Sequence, residues 1–261
     1  MSDTEVGVDE ALSVLLGKDP QRSRDEPLIA ANIGTQLAHM ELSSWPISIR
    51  RRVRDVVGRL QPKSICEVGA GIGHLSAWLL DMWEDSSPPK NYQMVEAGGK
   101  FGVILLRLLQ RYDASSWAAV KVGRFEQLVA EQKAWSAANP LATLSTGPAH
   151  GAASSDGGAG LAGETDEPIL ASPFDCIIID VEIQSLADCL DSAMASLAKG
   201  GVILVVEPEV PTGDVADDDM VGQSVIAGFQ KWMDFIHRVT VECDVAFQPL
   251  YGGTLVAIHS K

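Results

Sequence analysis

The chain has 261 residues, 46% of them hydrophobic, enough to bury the core of one ordinary domain. It carries 35 acidic against 20 basic residues, and the resulting charge of -15 repels polyphosphate and argues against a general nucleic-acid binder. There is no run of about 18 apolar residues, so no membrane span is expected. The N-terminus, MSDTEVGVDE, is acidic where a secretory signal is basic, and a cytoplasmic location is the default expectation.

The acidic residues gather in the first 26 positions, in Glu164–Glu167 and in Asp214–Asp219. Solvated loops explain this more simply than adaptation to a salty cytoplasm. Cys66, Cys176, Cys189 and Cys243 show no CxxC spacing and have no histidine at zinc-ligand spacing, so they read as buried free thiols.

In chain order, residues 1–26 read as a loose acidic leader with a short helix around Glu10–Leu16. A helix from about Pro27 to Leu42 follows, and Pro46 opens another over Ile47–Leu60. In that second helix Ile47, Ile49, Val53, Val56, Val57 and Leu60 form one face, with Arg50, Arg51, Arg52, Arg54 and Arg59 on the rest. The arginines are read as a solvated face, with a local site for an anionic substrate as the sharper alternative.

Ser64–Val68 is the first strand. It leads through the turn Gly69-Ala70-Gly71-Ile72-Gly73 into a helix over His74–Trp83. Tyr92–Val95, ended by Glu96, is the second strand. Phe101, Ile104, Leu105, Leu108, Leu109 and Tyr112 then repeat at helical spacing. Strand three is Ala118–Val122, followed by a helix over Glu126–Trp135. From about 137 to 173 the sequence is rich in Gly, Ala and Ser and poor in large apolar side chains, so it reads as a flexible surface insertion.

Strand four, Asp175–Ile179, is apolar throughout and is expected to be covered on both faces. A helix over Ser185–Ala198 is expected to stop at Lys199-Gly200-Gly201, ahead of strand five at Val202–Val206. After a loop at Asp214–Asp219 comes a helix over Val221–Ile236. Two strands, about Arg238–Phe247 and Thr254–His259, then form an antiparallel hairpin. Five βα units imply an α/β fold, a doubly wound and mostly parallel sheet with an antiparallel end. Residues 27–261 read as one domain around the 137–173 insertion.

A strand that feeds a glycine turn and then a helix lets backbone approach a ligand closely and offers it free N–H groups. Glu96, at the end of the second strand, is placed to accept ribose hydroxyls. A dinucleotide site wants GxGxxG and tolerates no acid beside its pyrophosphate. Here Glu67 precedes the turn and suits a cationic ligand instead.

These segments together resemble the class I S-adenosylmethionine-dependent methyltransferases. ICEVGAGIGHLS is similar to their first motif and VEAGGKF to the ribose-binding motif. VGRF is similar to the segment beside the adenine, and FDCIIID and LAKGGVILVVEP to the strand-four and strand-five motifs. The resemblance implies a Rossmann-like seven-stranded sheet and S-adenosylmethionine as cofactor. It implies that Glu67, Gly69, Ala70, Gly71 and Gly73 hold the methionine end and that Glu96 and Ala97 hold the ribose. Gly123, Arg124 and Phe125 would flank the adenine, and Asp180 would lie near the sulfonium as the catalytic carboxylate.

Within the family the likeness is to the catechol-type O-methyltransferases, where a divalent metal such as Mg²⁺ activates the acceptor hydroxyl. Asp180 and Glu207 stand at two ligand positions of that branch, but Pro208 replaces the amide ligand and Ile183 the lysine. Glu182 and Glu209 are nearby acids, and His74, His237 and His259 are alternative bases for which a packed or surface role is the plainer reading. The leading expectation is O-methylation of a small molecule, with a homodimer as a possible assembly. The alternatives are an RNA or protein methyltransferase, supported by the arginine-rich helix, and a non-catalytic binding protein with the same fold.

Overall fold

The computed structural model describes residues 11–140, 168–213, 215–216 and 218–261. Leader residues 1–10, the Glu164–Glu167 acidic stretch and most of the 137–173 insertion lie outside them.

After a short helical stretch at 11–15, seven longer helices and seven strands follow. Helices α1 (Leu28–His39) and α2 (Ile47–Leu60) precede strand β1 (Ser64–Val68). Then come α3 (His74–Glu84), β2 (Asn91–Glu96), α4 (Gly99–Arg111), β3 (Ala118–Val122) and α5 (Phe125–Ala138). The second half runs β4 (Phe174–Ile179), α6 (Ile183–Met194), β5 (Leu197–Val206), α7 (Met220–Val239), β6 (Cys243–Leu250) and β7 (Gly253–Ser260). One sheet holds the strands in the order β3-β2-β1-β4-β5-β7-β6. The first five are parallel, and β7 is antiparallel to both β5 and β6.

Apolar side chains cover both faces of this sheet, as continuous runs such as Cys176–Ile179 require. One core joins α1 to α4 around Trp78, Tyr92 and Met94. The other joins α5, α6 and α7 around Phe174, Ile177 and Trp232. The strand order reverses between β1 and β4, and open α/β sheets present their ligand crevice at that point, outside the carboxyl ends of the strands.

Two boundaries differ from the sequence reading. Lys199-Gly200-Gly201 is not a helix stop: α6 ends at Met194, and the glycines lie within β5. Leu197 already pairs with Phe174, and the register then shifts. Gly200, at φ +74°, supplies the left-handed residue that such a bulge needs. The penultimate strand begins at Cys243 rather than near Arg238. The run Val239-Thr240-Val241 looks β-like, but Trp232, Phe235 and Val239 at helical spacing bury one face and carry α7 through Val239.

The arginines of α2 form neither a solvated face nor an open anion site. Arg59 donates to the Leu15 and Gly17 carbonyls and Arg54 to that of Ser23. Arg52 and Arg51 donate to the carbonyls of Leu16 and Arg24. The leader from residue 11 onward is thereby packed on α2, with Leu12 and Leu16 buried. Asp55 anchors the contact. It is 1% exposed, pairs with Arg54 at 2.7 Å and accepts the Asp19 N–H at 3.1 Å. Arg54 in turn lies 5.3 Å from the ring centroid of the buried Trp78.

Asp55→Ala should destabilise the fold by about 3–5 kcal/mol, because it leaves the Arg54 guanidinium buried without its anion. Urea unfolding is the measurement, and a loss near zero would contradict this account of the contact.

Candidate active site

The site is built where β1 and β4 end side by side. Gly69 has φ +80°, and a Cβ there would lie 1.8 Å from the Asp180 carbonyl oxygen. No other residue type fits this turn. The Asp180 N–H donates to the Val68 carbonyl at 2.9 Å and fastens the two strand ends together. Gly73 (φ +88°) starts α3, and a Cβ there would strike Leu108 of α4 at 2.4 Å. Gly71 (φ +57°) instead faces open space, which marks the accessible side of the turn.

Glu96 grips this turn from the end of β2. Its carboxylate accepts the Gly71 N–H at 2.8 Å and the Gly98 N–H at 2.7 Å. The Gly123 N–H donates to the Glu96 carbonyl at 3.0 Å, so the end of β3 is tied to the same place. Ala70 is buried, and Ala97 is exposed beside Gly98. Arg124 points outward with Glu126 at 3.7 Å. Phe125 is 3% exposed and packs in the core with Val95 and Leu128, so its ring serves as floor beneath the β3 turn rather than as an open stacking face.

Glu67 lies behind the turn, 2% exposed. Ser76 Oγ is 3.0 and 2.9 Å from its two carboxylate oxygens, and the Tyr92 hydroxyl donates to one of them. Burial pushes the Glu67 carboxyl up to about 7. The Tyr92 and Ser76 hydrogen bonds oppose that shift, and the Asp180 charge adds to it. Asp180 is accessible from the cleft, but protein surrounds it on the other sides and lifts its carboxyl to about 6.

A cleft of about 420 Å³ opens on this turn and includes Glu67, Gly69, Gly71, Asp180 and Glu182. The N-terminal elements add Leu42, Ser44, Trp45 and Arg50 to its lining, and His74 at the start of α3 lines it as well. A second cavity, of about 390 Å³, lies away from these residues, around Trp83, Lys63 and Lys90.

The histidines separate here. His237 is exposed near the end of α7, and His259 lies 3.6 Å from Asp244 on β7. Neither lines the cleft. His74 does, but both of its ring nitrogens are engaged. Arg50 Nη1 and Ser44 Oγ each lie 3.0 Å from Nδ1, and Glu26 Oε1 lies 3.3 Å from Nε2. Sequence reasoning singled out His74 and Arg50 but not Glu26, which sits 24 positions before Arg50 at the end of a leader read as loose and solvated.

The donor set does not fit a catalytic metal. Pro208 offers no side-chain oxygen beside Glu207, and Ile183, which has no amine, cannot supply the base that accompanies the metal in the catechol-type branch. Among the described residues no three His, Cys, Asp or Glu side chains converge at ligand spacing. All four cysteines are free and buried, and burial pushes the Cys66, Cys176 and Cys189 thiols up, away from reactivity. No described helix is long and apolar enough to cross a membrane.

No protein-family model matches the chain, and no curated protein matches it in sequence. Solved structures do match in shape. An O-methyltransferase of Bacillus cereus, in complex with S-adenosylhomocysteine, is 17% identical; the match covers 97% of each chain at a TM-score of 0.60. The O-methyltransferase TomG of Streptomyces achromogenes, involved in tomaymycin synthesis and solved with S-adenosylmethionine, is 16% identical over 100% of both chains at 0.58. An S-adenosylhomocysteine-bound methyltransferase of Podospora anserina is 16% identical over 100% of this chain and 98% of its own at 0.57. The chain thus has the Rossmann-like fold of the S-adenosylmethionine-dependent O-methyltransferases.

The raised Glu67 carboxyl has a consequence for stability. Its folded pKa, about 7, lies above the ordinary 4.5, so the native state holds a proton that the unfolded chain releases. Stability should therefore fall as pH rises from about 4.5 through 7. Glu67→Gln should flatten that decline in thermal unfolding followed across the range. Parallel curves for the two proteins would refute the assignment.

Proposed function

We propose that the chain is an S-adenosylmethionine-dependent methyltransferase that methylates oxygen on a small molecule. One observation carries the reading. The open side of the Gly69–Gly73 turn, gripped by the Glu96 carboxylate, gives onto the cleft that also contains Glu67 and Asp180. The solved structures of the same fold that hold S-adenosylmethionine or its demethylated product support it.

In this reading Gly69, Ala70, Gly71 and Gly73 hold the methionine end, with Glu67 drawing its ammonium group. The Glu96 oxygens each accept one backbone N–H and keep further lone pairs for the ribose hydroxyls. Ala97 lies beside the ribose, and Gly123 and Arg124 flank the adenine over the Phe125 floor.

In the reaction an acceptor oxygen attacks the methyl carbon in line with sulfur. The C–O bond forms, the C–S bond breaks, and the bonding pair leaves with sulfur as a neutral thioether. The acceptor proton passes to Asp180, whose carboxyl titrates near 6 and is ionised at neutral pH. In-line positioning supplies most of the acceleration, because the sulfonium is already a good leaving group. No step requires Glu207 as a metal ligand.

The size and charge of the cleft favour a small acceptor. Three acids line it, Glu67, Asp180 and Glu182, against one cation, Arg50, which Glu26 neutralises. The arginine-rich helix was the support for an RNA acceptor, and its guanidinium groups are occupied by leader carbonyls.

Titration calorimetry with S-adenosylhomocysteine should show binding, weakened about 10-fold or more by Glu96→Ala, since charge-assisted hydrogen bonds to the ribose are lost. Absence of heat with the intact chain would sink the reading. Binding should also tighten as pH rises through about 7, because the ligand ammonium favours ionised Glu67, and Glu67→Gln should abolish that dependence. Retained binding with no methyl transfer to any class of acceptor would favour a non-catalytic relative.

A further inference from the structure

His74 directly follows the last glycine of the cofactor turn, yet the N-terminal part of the chain determines its surroundings. Arg50 of α2 places Nη1 3.0 Å from its Nδ1. Ser44, before α2, places Oγ at the same distance. Gly34 of α1 seats the ring, for a Cβ there would lie 3.2 Å from Cε1 and Nε2. Glu26, from the packed leader, places Oε1 3.3 Å from Nε2.

These partners fix the proton. A guanidinium only donates, so Nδ1 facing Arg50 is the bare nitrogen, and Nε2 carries the hydrogen and donates it to Glu26. Burial and the Arg50 charge hold the ring pKa below its ordinary value and keep it neutral, against the opposing pull of Glu26. His74 therefore has no lone pair free to take a proton from an acceptor. It is a strut between the leader and the turn.

The same Glu26 oxygen accepts Arg50 Nη2 at 2.7 Å. Arg50 is 6% exposed, and its Nη1 also donates to the Trp45 carbonyl at 2.7 Å, holding the Ser43–Trp45 stretch that walls the cleft. One carboxylate oxygen thus sets both the histidine and the arginine.

We propose that Glu26 is a positioning residue: its carboxylate locks His74 in the Nε2–H form and Arg50 onto the Trp45 carbonyl, so that the leader sets the acceptor wall facing the cofactor turn. The word acceptor rests on the methyltransferase reading; the positioning itself does not.

Nitrogen-15 NMR of the full chain labelled in histidine and tryptophan tests it, paired with S-adenosylhomocysteine calorimetry. Intact protein at neutral pH should show His74 protonated at Nε2 and bare at Nδ1. Glu26→Ala should lose the protected Nε2–H signal and shift the Trp45 indole signal. Glu26→Gln, which keeps an accepting oxygen, should restore both. Calorimetric affinity should be the same in all three, because β1 and β4 hold the turn. A wild-type His74 protonated at Nδ1, or doubly protonated, overturns the proposal, and that measurement stands even where a variant does not fold. Unchanged His74 and Trp45 signals in folded Glu26→Ala overturn it as well. Failure of the intact chain to bind S-adenosylhomocysteine would remove the methyltransferase reading and leave the His74 result to judge Glu26 by itself.

Discussion

The approach of Gly69 to the Asp180 carbonyl governs the site. Two parallel strands at the winding reversal end beside each other, and the chain leaving β1 must turn without colliding with the chain leaving β4. A residue without a Cβ, at positive φ, is the only solution at that distance. Once the turn is made there, Gly71 is left facing the cleft and Asp180 is brought to its edge. The position of the Asp180 carboxylate is thus a by-product of how the sheet is wound.

The same geometry explains why a carboxyl group is kept in the core. Glu67 sits one residue before the end of β1, where its side chain must point into protein. Burying an ion there is unfavourable, and the group responds by holding its proton up to about 7 while Ser76 and Tyr92 satisfy its oxygens. Such a residue is poised to ionise when a cation arrives and to protonate when the cation leaves. Under the methyltransferase reading, a lysine or arginine at this position would repel the ligand's ammonium group, and a neutral residue would not respond to it.

Much of this was legible in the sequence, and the failures have a pattern. The helix over Ile47–Leu60, strand Ser64–Val68 and strand Ala118–Val122 were read to the residue: Pro46 opens the helix ahead of its apolar face, and Gly69 and Gly123 directly follow the two short strands. The glycine turn and the carboxylate ending the second strand were legible as a pattern: Gly69, Gly71 and Gly73 all stand at positive φ, and the Glu96 side chain accepts the Gly71 and Gly98 N–H groups. Lys199-Gly200-Gly201 misled, because a glycine pair marks a helix stop and a strand bulge equally well, and only the pairing of Leu197 with Phe174 decides. Val239 misled because local β-branching was outweighed by burial against the α7 face.

The arginines of α2 show what a sequence pattern cannot carry. Five basic residues on one helix look like a site for an anion because charge invites a charged partner. Four of them found carbonyls of the leader backbone instead, which have no signature in sequence and can belong to any residue type. The effect is to fasten the leader along the helix through its backbone, beside the buried side chains of Leu12 and Leu16. Glu26 is the leader residue that meets an arginine through its own carboxylate, and it does so at the wall of the cleft. Backbone contacts make the leader adhere, and this single side chain makes its adhesion matter to the site. An acidic leader that looks solvated in the sequence becomes, through that one residue, part of the wall of the cleft onto which the glycine turn opens.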